Sequence, residues 1–273
     1  MRIAEWIQIV FVCLFALAGW ICPLALRRRL NISALAAVVV TTIMAARLAG
    51  RLLRPSYLSV IRDWLPVAFF QIPFWQSGQF YVTSNKRLQE RLITFDQNFF
   101  ETVLRSRAGR RWGVGFSVYT EFAYLMCYPI VPLGVGVLYA AGMRYSVDHY
   151  WTIVLLSAYI CYVVSPVVQA LPPRTLLDDK TLGIPSSKVR ELNQWILRHA
   201  SIQVITFPSA HVAASVAASL VLFELVPWVG LVFAWVAVSI ALGAVVGGYH
   251  YVADVLSGIL VAFFIFFVTR WLW

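Results

Sequence analysis

The chain has 273 residues, with 22 Lys and Arg against 12 Asp and Glu, a formal net charge of +10. Apolar residues make up 61% and charged residues 12%, against roughly 45–50% and about 25% in soluble domains. Such a chain cannot be water-soluble, because too much apolar surface would stay wet, nor disordered, because disorder needs few apolar residues. Its cations lie between apolar runs and line no soluble face, which argues against a nucleic-acid partner.

The fold class expected is all-α, a polytopic transmembrane helix bundle of about eight spans with interfacial helices. A bilayer core of ~30 Å takes about 20 apolar residues as a helix, and segments near 6–26, 32–53, 64–82, 114–141, 150–170, 209–226, 228–247 and 251–272 qualify. The first ends at Arg27-Arg28-Arg29 with no small-residue cleavage site, so it reads as a span or anchor. The third carries Pro66, Pro73, Gln71, Gln76 and Gln79, and a broken or interfacial helix is its alternative. Residues 83–113 mix seven cations with Leu, Ile and Phe, the pattern of an amphipathic helix on a membrane surface. Residues 171–208, with Trp195, Ile196 and Leu197, suggest a second interfacial segment.

The last three spans repeat small residues at helical spacing: Ala214 and Ala218; Ser239, Gly243 and Gly247; Gly258 and Ala262. Such spacing lets membrane helices approach closely. Cys13, Cys22, Cys127 and Cys161 form no CxxC pair and read as small core hydrophobes, with no disulfide or metal implied.

Of four histidines, His149 and His199 sit in polar stretches where a solvated role suffices. His211 and His250 each open a span, and Asp254 is the only acid after Glu224. The i,i+4 spacing of His250 and Asp254 puts both on one helix face, where a carboxylate can hold one ring nitrogen as N–H and free the other for attack. A structural pair pinning two helix ends is the competing reading. Span parity collects Arg174, Ser209, His211, His250 and Asp254 on one face, a set suited to a phosphoryl group.

Pro208-Ser209-Ala210-His211, followed 39 positions after His211 by HxxxD and preceded by Pro172-Pro173-Arg174, resembles the type 2 phosphatidic acid phosphatase superfamily. The similarity is to the branch of inositol phosphorylceramide synthases and related bacterial membrane phosphatases. It reaches weakly upstream through Arg62-Asp63-Trp64-Leu65-Pro66 and Phe95-Asp96. The resemblance implies a six-span phosphatase-like domain over 61–273 and a two-span extension over 1–60.

It further implies a phosphohistidine on His250, oriented by Asp254, with His211 as general acid. Arg174, Ser209 and the backbone around Ala210 would hold phosphate oxygens, and no metal or other cofactor is called for. The implied function is a lipid phosphate phosphatase acting on a phospholipid or polyprenyl (di)phosphate. The alternatives are a lipid phosphotransferase moving a phospho-head group to a hydroxyl acceptor, and a non-catalytic lipid-binding scaffold. Implied partners are the lipid phosphate substrate and membrane lipids.

Four departures stand out: Val167 in place of Lys, Thr175 after Arg174, Ala210 in place of Gly, and Gly243-Ala244 where Ser-Arg is usual. An Arg from 83–113 or 188–198 could substitute, the branch could manage without that Arg, or the site could be degenerate. Fifteen of the 22 cations fall on the site face, which the positive-inside rule puts in the cytoplasm. The resemblance implies the opposite, an extracytoplasmic site in the plasma (inner) membrane, and is the expectation kept.

Overall fold

The computed structural model describes residues 1–49, 54–103, 113–177, 179, 182, 184–204 and 207–271. Every regular element among them is helical. Helices α1 (Ile3–Ile21) and α2 (Leu26–Leu48) pack as a hairpin, and Arg29 caps its turn by donating to the carbonyls of Leu24 (2.8 Å) and Cys22 (3.2 Å).

The segment expected over 64–82 is two helices, α3 (Pro55–Phe69) and α4 (Ile72–Gly78). Pro73, in the first turn of α4, has no N–H to continue an incoming helix, so the broken-helix alternative is the one realised. The amide nitrogen of buried Gln76 donates there to the carbonyls of Val12 (3.2 Å) and Ile32 (2.9 Å).

Helix α5 (Lys86–Val103) is the expected amphipathic element; residues 104–112 lie outside the described residues. The long segment 114–141 folds as α6 (Val114–Leu125) and α7 (Ile130–Ala140), bent by 67°. Pro129 and Pro132 remove two backbone donors at that junction. Helix α8 (Val147–Val164) ends ahead of Pro166, which disfavours helix at the residue before it. A single turn, α9 (Pro173–Leu176), and the amphipathic α10 (Lys188–Ala200) follow, and α11 (Ala210–Leu225), α12 (Pro227–Val246) and α13 (Val252–Arg270) complete the bundle.

Five described helices are long and apolar enough to cross a membrane, or six when α6 and α7 count as one crossing. The other two of the eight expected segments differ by being broken (α3–α4) or short, since α11 has 16 residues. The chain is a polytopic integral membrane protein.

Helix α11 is the hub, packed on α7, α8, α12 and α13, with Ala213, Ala217, Ala218 and Val221 fully buried. Small residues make that approach possible. At Gly258 of α13 a Cβ would lie 2.5 Å from the Ser209 carbonyl oxygen. Helix α1 packs directly on α8 and contributes Ala4, Ile7 and Phe15 to the same core.

Charged groups tie the end of the bundle remote from residues 165–209. Buried Asp63 accepts from Arg2, from Arg144 Nε (2.7 Å) and from the Tyr139 hydroxyl (2.5 Å). Glu5 is held by Arg62 at 2.6 and 2.7 Å. Asp148 accepts from the backbone N–H of Ile3 (3.0 Å) and Ala4 (3.1 Å), a carboxylate placed at the positive end of α1. Asp63 and Glu5 are buried and paired with arginines, as their burial requires.

Candidate active site

The turn Gly247–Tyr251 joins α12 to α13 and carries His250. Gly248 has φ +66°, a conformation open to glycine, and a Cβ there would lie 2.9 Å from Leu182 Cδ1. The N–H groups of Tyr249 and His250 both donate to the Ala244 carbonyl at 2.9 Å. The Gly248 carbonyl accepts from the Arg174 N–H, also at 2.9 Å. The turn that presents His250 is therefore stitched to the one that presents Arg174.

His250 Nδ1 lies 2.7 Å from Asp254 Oδ2, with the residues 5% and 0% exposed. A carboxylate on Nδ1 favours the tautomer with its proton there, leaving the Nε2 lone pair for attack. His211 faces this pair, its ring centroid 6.2 Å from that of His250 at 80°. The edges of Tyr124 (6.1 Å) and Tyr128 (5.9 Å) flank His211. His211 also lines a cavity of about 200 Å³ walled by Phe74, Trp75, Tyr128, Ile196 and Leu197.

Ser209 is fully buried, its N–H donating to the Asp254 carbonyl (2.9 Å) while its Oγ has no partner. A buried hydroxyl left unsatisfied costs about 1–3 kcal/mol, which a ligand oxygen would recover. Ala210 opens α11, where the first N–H groups lack intrahelical acceptors and face an anion favourably. Arg174 Nη1 donates to the Tyr249 carbonyl at 3.4 Å, and its charge acts on both imidazoles. Arg174, Ser209, Ala210, His211, His250 and Asp254 thus converge. His149 lies in the first turn of α8, and His199 is exposed on α10 with Nδ1 2.8 Å from the Trp195 carbonyl. Neither joins the cluster.

A family model described as the PAP2 superfamily matches residues 91–268, a stretch containing every member of the cluster. The chain belongs to the PAP2 superfamily. No curated protein and no solved structure matches it. PAP2 superfamily members are generally phosphatases or phosphotransferases, and phosphate oxygens are what the cluster suits: a guanidinium, a free hydroxyl and a helix N-terminus beside two imidazoles.

Against the PAP2 pattern, the sequence left open which cation replaces the missing Lys and Arg. Arg190 comes near but is committed, donating to Glu121 Oε1 (2.8 Å), the Gly247 carbonyl (2.7 Å) and Asp179 Oδ1 (2.6 Å). Lys86, Arg87, Arg91, Lys188 and Arg198 are exposed, and Arg105, Arg107, Arg110 and Arg111 lie outside the described residues. Among the described residues no group of three or more His, Cys, Asp or Glu could hold a metal ion.

Sequence reasoning missed the aromatic wall of Tyr124, Tyr128 and Tyr249. The Tyr249 ring stacks on Tyr124 at 3.9 Å, and its hydroxyl donates to Glu121 Oε2 (2.5 Å). Burial, with the Glu121 carboxylate adding to it and Arg190 opposing, pushes the Tyr249 phenol above its ordinary value and keeps it a donor. Also missed was the brace from α5. Gln89 pairs with the Leu171 backbone (2.8 and 3.1 Å) and donates to the Tyr251 hydroxyl, and Asp96 accepts from the Val252 N–H (2.9 Å). A signal existed for Glu121, the only acid in 114–141, because acids within membrane segments are costly.

Proposed function

We propose that the protein is an integral-membrane lipid phosphate phosphatase working through a phosphohistidine on His250. The observation that carries this reading is the 2.7 Å contact of His250 Nδ1 with Asp254, set across from His211. Phosphate oxygens are held by Arg174, the Ser209 hydroxyl and the N–H groups at Ala210. His250 Nε2 attacks phosphorus, the bond to the lipid oxygen breaks, and His211 gives that oxygen its proton. Asp254 stabilises the positive charge that His250 gains. Water then attacks the phosphohistidine, neutral His211 takes its proton, and inorganic phosphate leaves.

A lipid substrate is supported by an apolar groove of about 410 Å³ between α12 and α13, lined by Ala237, Ala241, Val245, Val255 and Ile259. Val245 also borders a cavity of about 130 Å³ reached by Pro173, Gly248 and Tyr251. A prenyl or acyl chain in the groove leads its phosphate toward the histidines. The site is read as extracytoplasmic, its surrounding cations serving an anionic lipid as much as topology.

A second reading, transfer of the phosphoryl group to a lipid alcohol, draws on one observation. The cavity at His211 is walled mainly by apolar side chains, and His211 is the group that would deprotonate the acceptor. Incubation with labelled phosphatidate, phosphatidylglycerophosphate and polyprenyl diphosphate, with and without alcohol acceptors, separates the two. Free phosphate without acceptor is expected. Acceptor-dependent formation of a new phosphate monoester moves the assignment to transfer, and a wild type that turns over none of the lipids supports the scaffold instead.

His211→Ala is expected to lose roughly 10²–10⁴-fold on an alkyl lipid phosphate. The loss of the phosphorylation step is far smaller with p-nitrophenyl phosphate, whose leaving group needs no proton. Burst kinetics on the two substrates check this, and equal losses contradict a general-acid role.

A further inference from the structure

We propose that Arg190 is a positioning residue, a buried cation that locks the segments presenting Arg174 and His250 to helix α6, which flanks His211. The inference rests on the role read for His250. Arg190 is 1% exposed, and its guanidinium reaches three parts of the chain at once. Nη1 holds the carbonyl of Gly247, three residues before His250, at 2.7 Å, and Glu121 of α6 at 2.8 Å. Nη2 holds Asp179, five residues after Arg174, at 2.6 Å. Its Cζ lies 5.0 Å from the centroid of the Tyr249 ring.

Glu121 extends the lock. Its Oε2 accepts from the Tyr249 hydroxyl (2.5 Å) and from Asn193 Nδ2 (2.8 Å). Tyr124, one turn further along α6, stacks on Tyr249 and meets His211 edge-on. These partners lie beside the catalytic candidates in sequence or in space, and Arg190 is common to three of their segments.

A buried ion pair is weak evidence for stability, since well-packed apolar residues often serve as well. What a guanidinium adds is a rigid planar fork that fixes several acceptors in relative position. Lysine, a point charge on a flexible stem, cannot hold Gly247, Glu121 and Asp179 together. Reactivity depends on that geometry: a shift of about 1 Å between nucleophile and phosphorus can cost roughly 10²-fold in rate with binding little changed.

The test uses the full-length protein in detergent with short-chain phosphatidate, following kcat, KM and thermal unfolding for wild type, R190K, Y249F, the double variant R190M/E121L and H250A. R190K is expected to lower kcat roughly 10²-fold with KM within about threefold. Y249F, which removes one hydroxyl, lowers kcat by a smaller factor in the same way. R190M/E121L replaces both charges with apolar volume, and its unfolding temperature returns toward wild type while kcat stays low. Wild-type kcat in the double variant, or changes confined to KM in R190K and Y249F, overturns the proposal. Activity surviving in H250A overturns the reading of His250 itself, and that result is independent of the Arg190 series.

Discussion

Replacing His250 with alanine removes turnover by on the order of 10⁴-fold or more while leaving the helix bundle folded. The loss is large because the imidazole is read as the group that bonds to phosphorus, while His211 and Ser209 are read as serving proton transfer and phosphate binding. Binding survives, because Arg174, Ser209 and the start of α11 are untouched. The stability cost is confined to Asp254, whose Oδ2 loses its partner at 2.7 Å; an unsatisfied buried acceptor costs about 1–3 kcal/mol. Steady-state kinetics, substrate binding and thermal unfolding on one preparation check all three statements. Turnover within tenfold of wild type contradicts the assignment.

Asp254→Asn is the second large effect, a kcat loss on the order of 10³–10⁴-fold with KM little changed. The substitution is nearly isosteric, so packing against Ser209, whose N–H binds the Asp254 carbonyl, is preserved. Its electrostatics are not. If the amide NH₂ faces His250 Nδ1, that nitrogen must accept, and the ring proton moves to Nε2, the atom needed for attack. If the amide oxygen faces Nδ1 instead, the NH₂ takes the place of Asp254 Oδ1, a buried atom with no partner. Either way the negative charge that stabilises a cationic phosphohistidine is gone. Kinetics alongside nuclear magnetic resonance of the ring nitrogens report both the rate and the tautomer. Wild-type kcat in the Asp254→Asn protein reduces Asp254 to a structural anchor.

The local parts of this site were legible in the sequence. The His250–Asp254 pair is separated by one helical turn, so spacing alone predicts its contact. Span parity needed only a count of apolar runs to bring Arg174, Ser209 and His211 to the same end. The prolines of 64–82 pointed to a broken helix there, but 114–141 read as a single span, and the 67° bend between α6 and α7 is what lays Tyr124 and Tyr128 against His211. Arg190 was the least legible residue. In sequence it is one cation of an amphipathic stretch, and only the docking of α10 on α6 turns its face inward onto Glu121. The N-terminal helices were readable as spans, while the Arg2, Arg144 and Tyr139 contacts to Asp63 depend on long-range packing that spacing does not encode.

The covalent bond proposed between His250 and phosphorus can be trapped. A ³²P-labelled lipid phosphate mixed with excess protein and quenched in alkali within the first turnover should leave label on the protein. Base-stable, acid-labile label is expected on the peptide containing His250, attached at Nε2 and absent from His250→Ala. Label at another residue, or turnover by the wild type with no labelled protein at any quench time, contradicts it.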